Sequence, residues 1–306
     1  MSTRVYPKAN TLVRVRETTF LGKEQWHALL QARSYEAALT LLTEWGRLPA
    51  DARDRTDANS LVNHLLAELL GWLADIAPDA RVTALFTLRH DLNNAKALFR
   101  EEIGEKADDA LWLEGAGATR EELQKLMDTK GNPFHGLLET FRESWEEHGS
   151  WQRLGLLGET FYHARLAVLA RELGEPQIRR FIEVMTDYHN LSLLLRRREE
   201  ELPSPEGDFL PGGTLTPAVL EDGSALTTTL YGKALDRPEL FDTLRDNHLM
   251  RLAIETKLQA FGLAPICGSV FAAVMELKNL RLVLVAKENN LPMDKVAERM
   301  RILYEL

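Results

Sequence analysis

Apolar residues recur at steps of three and four along nearly the whole chain, the spacing that lays one apolar stripe down a helix. Leu61, Leu65, Leu66, Leu69, Leu70 and Leu73 are the plainest instance. Alternation of β-branched residues, the mark of a half-buried strand, is confined to 227-TTTLY-231. The pattern predicts an all-α protein. It breaks at Pro49 to Asp57, at 128-DTKGNPFHG-136 and, most strongly, at the Pro- and Gly-rich 203-PSPEGDFLPGG-213, where turns or linkers are expected.

A second, longer period lies in the polar positions. Aligned without gaps, 91-DLNNAKALFR-100, 187-DYHNLSLLLR-196 and 276-ELKNLRLVLV-285 share an acid, an Asn three residues on, and an aliphatic tail. The pairs are Asp91 with Asn94, Asp187 with Asn190 and Glu276 with Asn279, so the Asn positions lie 190 − 94 = 96 and 279 − 190 = 89 residues apart. Downstream, 113-LEGAGATREEL-123 matches 210-LPGGTLTPAVL-220 at an offset of 97, one residue being inserted in the turn. Thr119 with Glu122 makes a capping box, and Thr216 places a cap ahead of Pro217 at the first helical position. The third copy has only Pro292 at the corresponding start. Each unit therefore reads as a long helix, a turn and a second helix.

That period exceeds the roughly 34 to 47 residues of a single helix-pair repeat, so each copy is expected to be a small multi-helix domain. The expected domains are residues 1–115, 116–213 and 214–306, in a pseudo-threefold arrangement. Asn is a poor helix former. An acid at i and Asn at i+3 share one helix face, and the motif is expected to be a structural polar contact, inherited by duplication, that caps or bridges a neighbouring helix.

Charge and composition narrow the partners. The 306 residues are 45% hydrophobic, with one cysteine, Cys267, which rules out an intramolecular disulfide and is expected to be a small buried hydrophobe. Net charge is −9, but residues 1–100 hold 13 basic and 11 acidic side chains, against 24 and 35 in the remainder. An acidic surface disfavours nucleic acid and anionic lipid, so protein partners are expected. The longest near-apolar run, Leu263 to Met275, is too short to span a bilayer, and no signal peptide is recognised, so a cytoplasmic setting is expected. The basic segment with Arg4, Lys8, Arg14 and Arg16 stands out, and Arg14 and Arg16 are candidates for docking an acidic loop of a partner.

No constellation for catalysis, cofactor or metal emerges. The glycines of 155-GLLGET-160, and the pairs Gly115/Gly117 and Gly212/Gly213, lack the Lys and strand of a nucleotide loop and read as turn glycines. Asp108-Asp109 and Asp51, Asp54 and Asp57 miss the spacing of a diphosphate or calcium site and read as solvated surface. The eight histidines are dispersed, with His189 expected at a helix surface or cap, and 196-RRREEE-201 is expected to make local ion pairs.

The repeat residues resemble the C-subunit family of prokaryotic V-type (A-type) ATP synthases, whose eukaryotic relative is the V-ATPase d subunit. The resemblance runs the length of the chain. The opening 6-YPKANTLVRVRETTFLGKEQWHALLQARSYEAALTLLTE-44, the two middle copies 89-RHDLNNAKALFR-100 and 187-DYHNLSLLLRRR-198, and the closing 276-ELKNLRLVLVAKENNLPMDKVAERM-300 are each similar to that family's pattern. Ala95 stands where the family usually has Leu, and Val285 where it has a basic residue. The resemblance implies a funnel-like helical protein, peripheral on the inner face of the cell membrane. It would seat the central shaft made by the D and F subunits, cap the membrane proteolipid rotor ring, and bind no cofactor. Whether H⁺ or Na⁺ is moved, and whether ATP is made or spent, would be set by other members of the complex. The alternative is a free-standing helical scaffold or adaptor descended from the same family.

Overall fold

The computed structural model describes residues 6–48, 57–105, 112, 117–199 and 209–305, and every regular element among them is helical. In chain order these are α1 (Pro7–Glu17), α2 (Lys23–Gln31), α3 (Tyr35–Glu44), α4 (Ala58–Ile76), α5 (Ala80–Glu102), α6 (Arg120–Asp128) and α7 (Pro133–His148). There follow α8 (Trp151–Leu173), α9 (Pro176–Glu199), α10 (Pro217–Asp222), α11 (Leu230–Leu235), α12 (Phe241–Glu255), α13 (Leu263–Glu288) and α14 (Met293–Glu298). The β-branched run at 227–231 is no strand: Thr229 caps α11 by accepting the Gly232 N–H, because a hydroxyl ahead of a helix satisfies one of its orphan donors.

The start signals lie where the breaks are. Asp57 accepts the Ser60 N–H to open α4, Thr119 and Glu122 form the capping box of α6, and Asn132 with Pro133 opens α7. Thr216 accepts the Val219 N–H at the start of α10. The remainder of the break at 49–56, the linker core 203–208, Arg4, Asp108-Asp109, Gly115 and the expected boundary near 115 lie outside the described residues. So do the side chains of 197–201 in the charged run.

Three hydrophobic clusters hold the molecule together. One joins α5 to α6, α7 and α8, with Phe99, Leu123, Leu138 and Phe141 fully buried. The second joins the latter half of α9 to α10, α11 and α12 around Tyr188 and Leu191. The third joins both ends of the chain: α2, α3 and the start of α4 pack on the end of α13 and on α14 through Leu29, Leu42, Leu61, Val283 and Leu284. Helix α13 contributes to all three, Ile266 and Val270 to the first, Phe271 and Met275 to the second, Leu280 to the third. Over residues 263–275 this helix is nearly apolar on every side, which is stable only when surrounded, and 18 of the 26 residues in the whole helix are buried.

Candidate functional site

The three acid–Asn pairs sit near the middles of α5, α9 and α13, each reaching the backbone beside the start of another helix. Asp187 accepts the Leu215 N–H at 2.9 Å, the residue before the cap of α10, and also the Thr214 and Tyr231 hydroxyls at 2.6 and 2.8 Å. Asp91 accepts the Ala118 N–H at 2.8 Å, the residue before the cap of α6. Glu276 accepts the Leu21 N–H at 3.2 Å, again the residue before a cap, but that of α2 at the far end of the chain, and it pairs with Arg47. The third copy thus closes on α2, not on the Pro292-led α14. The Asn side chains act as two-pronged clamps. Asn190 donates to Leu210 O at 3.0 Å and accepts the Leu210 N–H at 2.9 Å; Asn279 does the same to Arg301 at 3.0 and 2.8 Å. Asn94, 1% exposed, has no hydrogen-bond partner for either amide atom among the described residues.

Where the three clusters meet, α4, α5, α8, α9, α12 and α13 and the C-terminal segment enclose a cavity of about 1880 Å³. Its apolar wall includes Leu66, Phe86, Phe181 and Val285; among the described residues, eleven Lys and Arg and four Asp and Glu side chains also line it. The wall is thus strongly positive in a chain of net charge −9. Asp246, its side chain 2% exposed, gathers three of these cations: Arg245 at 3.0 Å, Lys278 at 3.0 Å and Arg301 at 3.1 Å. Burial pushes the Asp246 carboxyl up, but Lys278, Arg245 and Arg301 outweigh it and hold the group ionised below the usual range. The Asn279 clamp positions Arg301 for this contact. Arg281 bonds the Asn63 amide oxygen at 2.6 Å instead of a carboxylate, and burial lowers its pKa.

On the α8–α9 wall, Glu159, His163 and His189 come within 4.8 Å of one another, a grouping no sequence spacing announced because it joins two helices. Both Glu159 oxygens accept from Arg89, whose guanidinium lies 3.7 Å from the Tyr162 ring centroid. Burial raises the Glu159 carboxyl, the Arg89 bonds more than offset it, and the net direction is down. The Thr186 hydroxyl donates to Ile182 O, so the 3.0 Å contact between Thr186 Oγ1 and His163 Nδ1 makes that nitrogen the donor. Burial pushes His163 down to about 3, with His189 adding to the effect, so its imidazole is neutral. His189, expected at a helix surface, instead has a side chain 14% exposed and a buried Nε2 without a partner. With Arg89 on the carboxylate and a positive wall around it, this grouping opposes a cation.

Comparison with known proteins matches the ATP synthase (C/AC39) subunit family to residues 9–299. The chain belongs to that family. It is 24% identical to the C subunit of the V-type sodium ATPase of Enterococcus hirae over 327 aligned positions, covering 98% of this chain and 99% of that protein. It is 21% identical to the C subunit of the A-type ATP synthase of Methanocaldococcus jannaschii over 338 positions, covering 95% and 85%.

Within this family member the other expected site residues are tied inward. Arg14 pairs with Glu17 at 2.8 Å and donates to Lys257 O and Gln259 O at 3.2 and 2.7 Å, while Arg16 stacks 4.6 Å from the Trp72 ring centroid. Gly155 and Gly158 are not turn glycines; both lie inside α8, where a Cβ at Gly158 would collide with the Lys96 side chain. Cys267 is half-buried and lines the cavity, its thiol pushed up to about 12 by burial. No helix among the described residues is long and apolar enough to cross a membrane.

Proposed function

We propose that this chain is a non-catalytic central-stalk component of a rotary V/A-type ATPase, coupling the shaft of the catalytic head, the D and F subunits, to the membrane proteolipid ring. The observation that carries the reading is the family match across residues 9–299, joined by two C-subunit relatives aligned over nearly the whole chain. In this reading the molecule is a funnel of three homologous helical domains in pseudo-threefold order, peripheral on the inner face of the membrane. Along the chain the units are residues 1–115, 116–213 and 214–306; in packing, the third borrows α2 and α3 from the chain's start. Three clusters, three acid–Asn motifs on long helices and a cavity at their junction support that arrangement. The cavity is the seat for the shaft. Torque passes through packing and ion pairs, with no bond made or broken in this chain.

A pull-down of the tagged chain from solubilised membranes, read by mass spectrometry, tests this. Recovery of the ring and shaft proteins is the expected result; recovery of unrelated soluble proteins alone would overturn it.

A further inference from the structure

The cations on the cavity wall are more numerous than its own acids can neutralise. Asp246 carries three of them, which leaves that buried cluster with surplus positive charge. Arg281 has an amide for a partner, and the carboxylate nearest to influence Lys96, Glu159, already holds Arg89. Burial lowers the pKa of both Lys96 and Arg281, the mark of cations held at an electrostatic cost within the protein. A fold with 46 acidic side chains has had carboxylates available to quench them. We infer that the cavity is a docking surface for an acidic protein segment, a carboxylate-bearing helical end of the shaft, held by Lys96, Arg281 and the Asp246 cluster. The identity of the occupant rests on the function proposed above; its chemistry rests on the wall.

Size and layout favour a helix over a small anion or a nucleic acid. A helix is about 10–12 Å across, so some three turns of one occupy on the order of 1200–1700 Å³, comparable with the cavity of about 1880 Å³. The cations do not converge on one point: Lys96 is on α5, Arg281 and Lys278 on α13, Arg245 on α12, Arg301 beyond α14. A single phosphate would meet only part of that set. Apolar side chains between the cations suit the stripe of an amphipathic helix. A single nucleic-acid strand would need several open aromatic faces, whereas on this wall the Tyr162 ring is covered by Arg89, Phe181 packs edge-on against Phe271, Tyr188 is fully buried and Phe86 is half-buried.

The test uses the full chain and a fluorescein-labelled oligo-glutamate peptide of about 15 residues, roughly four helical turns, followed by anisotropy at low and high salt. Arg281→Glu and Lys96→Glu are each expected to weaken binding about tenfold or more, and raised salt to weaken the wild type similarly. Lys130→Glu, a reversal at an exposed residue in the turn between α6 and α7, is expected to change it less than about twofold. Arg281→Gln, which removes the charge and keeps a polar side chain, guards against misfolding and is expected to fall between wild type and Arg281→Glu. Absence of peptide binding, equal loss in Lys130→Glu, or tighter binding of single-stranded DNA or inorganic phosphate would overturn the inference. The same variants are then taken through the membrane pull-down. Shaft recovered equally by wild type and Arg281→Glu sinks the inference and leaves the coupling role standing. Cavity-dependent peptide binding with no shaft recovered does the reverse.

Discussion

A buried amide that satisfies both polar groups of another residue's backbone is worth more than its single hydrogen bonds suggest, because its loss strands a donor and an acceptor together. Asn190 does this for Leu210, and Asn279 for Arg301. Asn190→Ala and Asn279→Ala are therefore expected to cost about 2–4 kcal/mol each in urea unfolding. Asn94→Ala should change stability by less than about 1 kcal/mol, since among the described residues that amide is buried without a partner and its removal strands nothing. Equal costs at the three positions would refute the distinction. The sequence marked all three Asn residues alike, through spacing and chemistry. Which backbone Asn190 and Asn279 grip depends on residues some twenty positions away, a distance at which no local pattern constrains contact.

At the level of elements, each acid of the repeat anchors the entry to another helix, and the first two need a small residue beside the carboxylate. A Cβ on Gly117 or Gly213 would overlap the Oδ1 of Asp91 or Asp187, and Gly117 has φ +134° besides. Gly213→Ala is expected to destabilise by about 1–3 kcal/mol, with α10 opening first in hydrogen exchange. Asp187→Ala made on top of it should add less than it does alone, because the two act at one contact. The third acid fastens the chain's start to its end. Glu276→Ala leaves Arg47 and the Leu21 N–H without their carboxylate. Amides of α2 and α3 should then exchange at least about thirtyfold faster, while those of α6 and α7 keep their rates. Uniform acceleration would mean global destabilisation instead of release of the N-terminal helices. Caps and helix starts were legible here because they depend on three or four adjacent residues. The partner of Glu276 was not, because the repeat continues at the opposite terminus.

For the molecule as a whole, the cavity wall sets the response to acid. Burial pushes His163 down to about 3 and His90 down to about 4, with His189 adding at His163 and Arg89 at His90. In the unfolded chain both take up protons below about pH 6.5. Between that value and the folded ones, the unfolded state binds more protons, so stability rises with pH. It is complete above about pH 6.5 and is lost as pH falls. The urea midpoint is expected to drop between pH 7 and pH 5, and the drop to be shallower in His163→Gln. Parallel pH profiles for the two proteins would rule out His163 as a contributor.

The sequence by itself determined the helices, most of their starts, the tripled acid–Asn motif and the family. All of these rest on short-range periodicity or on the order of residues along the chain. It also marked Arg14 and Arg16 as basic outliers; within the molecule they meet Glu17, two backbone carbonyls and Trp72, and no local pattern announced the carbonyls or Trp72. Only the tertiary structure decided where charge accumulates. Lys96, Arg245, Lys278, Arg281 and Arg301 are scattered over some two hundred positions with acids interspersed, so no window along the chain gathers them. Packing the long helices turns those side chains toward one cavity and much of the acid outward, and an acidic chain acquires a positive interior wall.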